Sequence, residues 1–235
     1  MAIELQSVTF CSQHPQLAAE FWGGALNRRL EGDGDGILLA GGSGQVGLRF
    51  AAGASHGEEK NRLHLHLADG PRDQRETIAM CVKLGARLLG NGHVPENSYA
   101  VMVDAAGDEF CVIEDGNSYL AGCGPLGEVT CEGTRAVGLF WSRALGWPVV
   151  WDEGEETAIQ SPAGGTKIAW SGDPVNPKAD RDRQYFVLSV VSDQLDDEVS
   201  RLLALGASGP AVSRMGETVL SDPDGNQFVV REVSA

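Results

Sequence analysis

The residues of this chain best suited to chemistry are two histidines, a thiol and a carboxylate. In Arg62-Leu-His-Leu-His-Leu-Ala68, leucines at 63, 65 and 67 alternate with His64 and His66, which is the period of a strand with one buried face. Both imidazoles therefore share the other face. Imidazole titrates near neutrality, so such a pair can move protons, bind a ligand or line a site by hydrogen bonding alone. In Glu109-Phe-Cys-Val-Ile113 the same alternation sets Glu109 and Cys111 opposite Phe110 and Val112. His64, His66, Glu109 and Cys111 are thus the candidate catalytic residues, with His64 as the acid–base group. A reactive cysteine needs a cation, helix terminus or metal to depress its pKa. Glu109 acts in the opposite sense, so Cys111 reads as an inert, buried thiol.

A second set is aromatic. Trp151 and Trp170 lie in strand-like stretches, as does Phe186. Together with Gln227 and Arg231 they would line a cavity suited to a flat, largely apolar ligand; the competing reading is a filled, purely structural bowl. Other chemistries lack their signatures. Gly41-Gly-Ser-Gly44 has no following Lys-Ser/Thr and reads as a hairpin turn rather than a phosphate loop, and neither Gly-x-Ser-x-Gly nor HExxH occurs.

The elements that must carry these residues come in repeats. Asp104-Ala-Ala-Gly-Asp-Glu-Phe110 is echoed by Asp222-Pro-Asp-Gly-Asn-Gln-Phe228, and Phe21-Trp22 with Ala25-Leu26 by Phe140-Trp141 with Ala144-Leu145. Two landmarks repeating at nearly one spacing mark a duplication. Finer reading gives four units, each strand, helix, three strands. The first helix carries Leu17, Ala18, Phe21, Trp22, Ala25 and Leu26 at helical spacing; the second carries Ile78, Cys81 and Val82; the third Val137, Phe140, Trp141, Ala144 and Leu145. The division expected is a first domain over 1–117, a glycine-rich linker over 118–126 and a second domain over 127–235.

Bulk properties narrow the function. The chain has 235 residues and a formal net charge of −15, which repels phosphate backbones and acidic headgroups, so neither nucleic acid nor membrane is an expected partner. Five cysteines without CxxC spacing suit reduced thiols better than disulfides or a zinc knuckle. The first residues lack the basic and apolar regions of a signal peptide, and a cytoplasmic location is expected.

The Phe-Trp pairs, Asn61-Arg-Leu-His-Leu-His66, the Leu-Gly-Ala at 84–86 and 205–207, the Asp-x-x-Gly strands and Val129-Thr-Cys-Glu-Gly-Thr134 together resemble the vicinal oxygen chelate superfamily of glyoxalases, bleomycin-resistance proteins and extradiol dioxygenases. The nearest likeness is to actinobacterial two-domain "glyoxalase-like domain" proteins. The resemblance implies an α+β fold in which four βαβββ modules pair into two tandem open bowls. These are curled mixed sheets with helices outside, one bowl per half of the chain. It also implies a divalent metal held by one His on the second unit's opening strand, by a Glu four residues after the turn glycine, and by donors from the first unit.

Position by position, His64 matches the histidine, but Cys111 stands where the glutamate should be, and Gln45 is the only donor offered by the first unit's final strand, Gln45–Phe50. In the second half the corresponding residues are Phe186 and Val229. Hard divalent ions favour oxygen and imidazole, so no metal and no cofactor is expected; a rearranged site would use His64 with Cys111 or Glu109. The function implied is metal-independent binding of a small, largely apolar organic molecule, for sequestration or for an enzymatic step, by a monomer or homodimer. The alternatives are a metal-dependent lyase, isomerase or dioxygenase around His64, and a structural or regulatory protein with filled bowls.

Overall fold

In a computed structural model, the structure describes residues 3–32, 34–42, 44–53, 62–68, 70–90, 94, 98–172, 175, 183–191, 193–214 and 217–233, with side chains left undescribed over 210–214. Asn61 of the histidine motif and residues 173–174 and 176–182 lie outside this set. Four units follow one another. The first is β1 (Ile3–Ser12), α1 (Pro15–Leu26), β2 (Glu31–Gly32), β3 (Ile37–Leu39) and β4 (Gly47–Ala52); the second β5 (Leu63–Leu67), α2 (Gln74–Lys83), β6 (Arg87–Leu88), β7 (Ala100–Val103) and β8 (Glu109–Val112). The third is β9 (Leu126–Cys131), α3 (Arg135–Leu145), β10 (Val149–Glu153), β11 (Glu156–Gln160) and β12 (Lys167–Trp170). The fourth is β13 (Gln184–Val191), α4 (Leu195–Leu205), β14 (Ser208–Arg214), β15 (Glu217–Ser221) and β16 (Gln227–Val233).

Local chemistry explains the helix limits. Pro15 opens α1 with a preset φ. Asp73 and Glu76 form a reciprocal capping box on α2. Gly146 and Gly206 end α3 and α4 in the left-handed region, at φ 66° and 118°. The apolar stripes are buried as their spacing predicts, except that Leu17 and Val82 are 42% and 48% exposed. Among the described residues no helix is long and apolar enough to cross a membrane.

The units pair in an order the repeats conceal. One eight-stranded sheet runs β14-β15-β16-β13-β1-β4-β3-β2 and the other β10-β11-β12-β9-β5-β8-β7-β6. The first unit thus joins the fourth through antiparallel β1 and β13, and the second joins the third through antiparallel β5 and β9. This corrects the expectation of one bowl per half: each concavity draws half its strands from each half of the chain. The helices cover the convex faces, where Phe21, Phe110, Trp141, Phe186 and Phe228 belong to one continuous core.

The twin motifs have a shared structural cause. Trp22 on α1 donates its indole N–H to Asp104 Oδ2 at 2.9 Å, while Asp104 Oδ1 accepts from the backbone N–H of Ala106, Gly107 and Asp108. Trp141 on α3 does the same to Asp222 Oδ2 at 3.2 Å, and Asp222 Oδ1 accepts from Asp224 N and Asn226 N. Each pair fastens the helix of one unit to the final turn of the next. Burial chiefly raises both carboxyl pKa values, that of Asp222 to about 6.

Candidate functional site

The alternation in β5 holds. Leu63, Leu65 and Leu67 are buried toward the helices, and His64 and His66 are half-buried on the opposite face. Registry then decides their neighbours. His66 lies opposite Cys111 on β8 and Glu128 on β9, and His64 lies opposite Thr130. Next along, β12 sets Lys167 beside Glu128 and Ala169 beside Thr130, and β10 sets Trp151 beside Ala158 of β11. The concave surface therefore combines first-half imidazoles and thiol with second-half carboxylate, hydroxyl and indole.

Two hydrogen-bonded groups meet on this surface. In the first, His64 Nε2 is 3.1 Å from Cys111 Sγ. Burial, then the neighbouring His66, lowers the His64 pKa to about 4, and burial with Glu109 lifts the Cys111 thiol to about 12. At neutral pH the pair is imidazole and thiol, not an ion pair. In the second, His66 Nδ1 is 2.8 Å from Glu128 Oε2, which also accepts from Thr130 Oγ1 at 2.7 Å, while Glu128 Oε1 accepts from Tyr119 OH at 2.8 Å. Burial alone would raise the Glu128 pKa; bonds from His66, Thr130 and Tyr119 outweigh it and hold the carboxyl below its ordinary value. A carboxylate fixed this way orients the His66 ring, whose Nε2 lies 3.5 Å from Thr130 Oγ1. The two imidazole rings pack edge to face at 5.3 Å.

Tyr119 comes from the segment joining the halves, which folds over the rim. Its ring meets Trp151 edge to face at 5.6 Å, and Lys167 Nζ sits 3.9 Å from its centroid while bonding to the Tyr119 carbonyl. A cleft of about 340 Å³ opens between this aromatic wall and the polar floor, lined by His66, Tyr119, Glu128, Thr130, Trp151 and Ala169 among others. A cavity of about 200 Å³ beside α2 lies apart from these groups. There Gln74 is committed to structure: its N–H bonds to Asp115 Oδ1 and its side-chain amide to two backbone carbonyls.

The predicted residues are placed unevenly. His64, His66 and Cys111 come together; Glu109 is exposed at the start of β8 and acts on Cys111 only through its charge. Trp151 lines the cleft, but in the sheet of the second and third units, away from Phe186, Gln227 and Arg231 on β13 and β16. Phe186 meets Trp170 and Gln227 around a space of about 20 Å³; it is 7% exposed and packs against Trp141 at 4.9 Å. Trp170 touches the cleft margin but is 2% exposed beneath α3, where a Cβ on Gly138 would come within 3.1 Å of its ring. Arg231 is tied to Glu217 at 2.6 Å and Asp35 at 3.1 Å. Gln45, considered as a metal donor, instead clamps the linker: its Nε2 donates to the Cys123 carbonyl and its Oε1 accepts from Leu126 N. Sequence reasoning missed Tyr119, Glu128 and Thr130, although Glu128 and Thr130 alternate with buried Val129 and Cys131, a pattern that marks a polar face.

At the position where the family resemblance implies a glutamate ligand for a divalent ion stands Cys111, a thiol where a hard ion needs oxygen. What the surface does offer is His64, His66 and Cys111, whose ligand atoms all lie within 4.8 Å of one another.

Comparison with known proteins places this geometry. The model of the glyoxalase-like domain family matches residues 7–113 and again 128–231. Glyoxalase I from Zea mays superposes with a TM-score of 0.67 at 12% identity, covering 98% of this chain and 92% of that one. A putative dioxygenase from Bacillus subtilis superposes with a TM-score of 0.60 at 16% identity, covering 97% and 84%. No curated protein matches the sequence. Identities this low speak for the fold alone, but the twofold family match spans nearly all of the chain. The chain belongs to the glyoxalase-like domain family of the vicinal oxygen chelate superfamily.

Proposed function

We propose that the concavity shared by the second and third units binds a small organic molecule with a flat, largely apolar body and one hydroxyl or carbonyl group, without the divalent metal that the family resemblance implies. The observation that carries this reading is the cleft of about 340 Å³ with Trp151 and Tyr119 on one side and the His66–Glu128 pair on the other. Its size lies within the range of small-molecule sites, and an aromatic wall with few convergent polar groups is their usual make-up. A bound hydroxyl would give its proton to Nε2 of His66, with Glu128 stabilising the imidazolium. His64 stays neutral and positions its neighbours, so the acid–base role moves from His64 to His66. Both sheets are completed within one chain, so no second copy is required to build the cleft.

Calorimetric titration of metal-free protein with bicyclic phenols, 2-naphthol first, tests this directly. Removing the indole in Trp151→Ala should weaken binding about tenfold or more, the effect of losing roughly 1–3 kcal/mol of ring contact. Equal binding by Trp151→Ala, or no heat from any phenol in the panel, would sink the proposal.

A further inference from the structure

We propose that the cavity of about 200 Å³ between α2 and the segment joining the halves binds a small α-amino acid with an apolar side chain. It lies on the helix side of the sheet, and none of His66, Glu128 and Trp151 lines it, so it is separate from the cleft of the proposed function. Protein interiors hold few voids larger than a water molecule; this one exists because α2 stands off the sheet. Of α2 only Cys81 is buried, whereas α1 and α3 bury full apolar stripes. Gln74, Thr77 and Met80, spaced by three, share one face of α2, and that face looks onto the cavity half-buried.

The lining divides into an apolar floor and a charged rim. Ala25, Leu67, Val112 and Leu120 are buried and form the floor with Met80. Arg72, Glu114 and Asp115 line the same space from more exposed positions. The backbone N–H groups at the start of α2 are already taken: Asp115 Oδ1 accepts from Gln74 N and Asp73 Oδ1 from Glu76 N, both at 2.8 Å. A ligand carboxylate is therefore left to Arg72, whose planar guanidinium matches it. An ammonium is left to Glu114 and Asp115. Glu114 Oε1 accepts from Asn117 Nδ2 at 2.7 Å, which holds that carboxylate in place without removing its charge. A head with both charges on a short apolar tail describes an amino acid of the size of leucine or methionine. The volume falls below the roughly 300–1,000 Å³ of drug-sized sites, which keeps the tail to a few carbons.

The test titrates L-leucine into the full, isotope-labelled chain and follows it by NMR. The amides of Thr77, Asn117 and Leu120 should shift on one saturation curve at roughly millimolar leucine or below, while the Trp151 indole N–H stays in place. Isocaproate and isopentylamine, each lacking one charge of leucine, and glycine, which lacks the tail, should each bind at least about tenfold more weakly. Arg72→Gln and Glu114→Gln should each weaken leucine about tenfold, and Met80→Trp, which fills the space above the floor, should abolish binding. Should Met80→Trp misfold, as circular dichroism would reveal, the two rim variants still decide, since neither side chain is buried. The site would be overturned by the absence of any saturable shift, or by shifts confined to His66 and Trp151 in the cleft. Isocaproate or isopentylamine binding as tightly as leucine, or leucine binding unchanged in both rim variants, would overturn it equally.

Discussion

Asp222→Ala is expected to destabilise the protein by about 3 kcal/mol or more, read from the denaturant midpoint. The carboxylate is buried and accepts from Asp224 N, Asn226 N, the Asn226 side chain and the Trp141 indole. Its removal leaves several donors without partners, each costing roughly 1–3 kcal/mol where water cannot reach. A loss below about 1 kcal/mol would contradict the role assigned to the paired tryptophan and aspartate motifs.

The same residue gives stability a pH dependence with an unusual sign. Burial raises the Asp222 pKa from 3.8 to about 6, so the native state binds this proton more tightly than the unfolded chain does. The stability it adds is full below 3.8 and is lost as pH rises through about 6, an effect on the order of 3 kcal/mol. Glu128 works the other way: its lowered pKa gives stability above 4.5 that is lost as pH falls through the native value. Asp222→Asn should therefore flatten the profile between about pH 4 and 6 while leaving the acid limb in place. An unchanged profile in that window would contradict the assignment.

Cutting the chain in the exposed turn at Asp115–Gly116, through an inserted protease site, should leave the two halves bound as one body in size exclusion until denaturant is added. Each sheet takes half its strands from either side of the cut, joined by the β1–β13 and β5–β9 ladders. A separated half would expose two long strand edges and the apolar surface beside them. Release of two half-sized, folded species under native conditions would contradict the crossed pairing and restore the arrangement of one bowl per half.

The crossed pairing was hidden from sequence for a physical reason. All four units carry the same alternation, so pairing the first with the second or with the fourth buries the same apolar faces. The choice is made by long-range edges, β1 with β13 and β5 with β9, and no local signal distinguishes them. What alternation could give, it gave: the four units, the inward face of His64, His66 and Cys111, and the core face of Phe110. It failed where both faces of a strand are apolar. In Tyr185-Phe-Val-Leu188 and Ile168-Ala-Trp170, pattern alone cannot say which phase meets the helix. The sequence therefore leads one to expect Phe186 and Trp170 in a concavity, whereas both pack beneath α3. Tyr119 was beyond reach for another reason: it lies in a turn-rich linker whose path across the rim is set by tertiary contacts such as the Gln45 clamp.

The proposed function requires that the ligand enter the concavity of the second and third units and that this concavity be built from both halves of the chain. Titrating 2-naphthol into isotope-labelled protein and following amide and indole N–H resonances by NMR tests this most directly. The account predicts that Trp151 Nε1–H moves together with the amides of His66, Glu128 and Thr130, from opposite halves and with one saturation curve. Shifts confined to Tyr185, Gln227 and Arg231 on the other sheet, or to one half of the chain only, would contradict it.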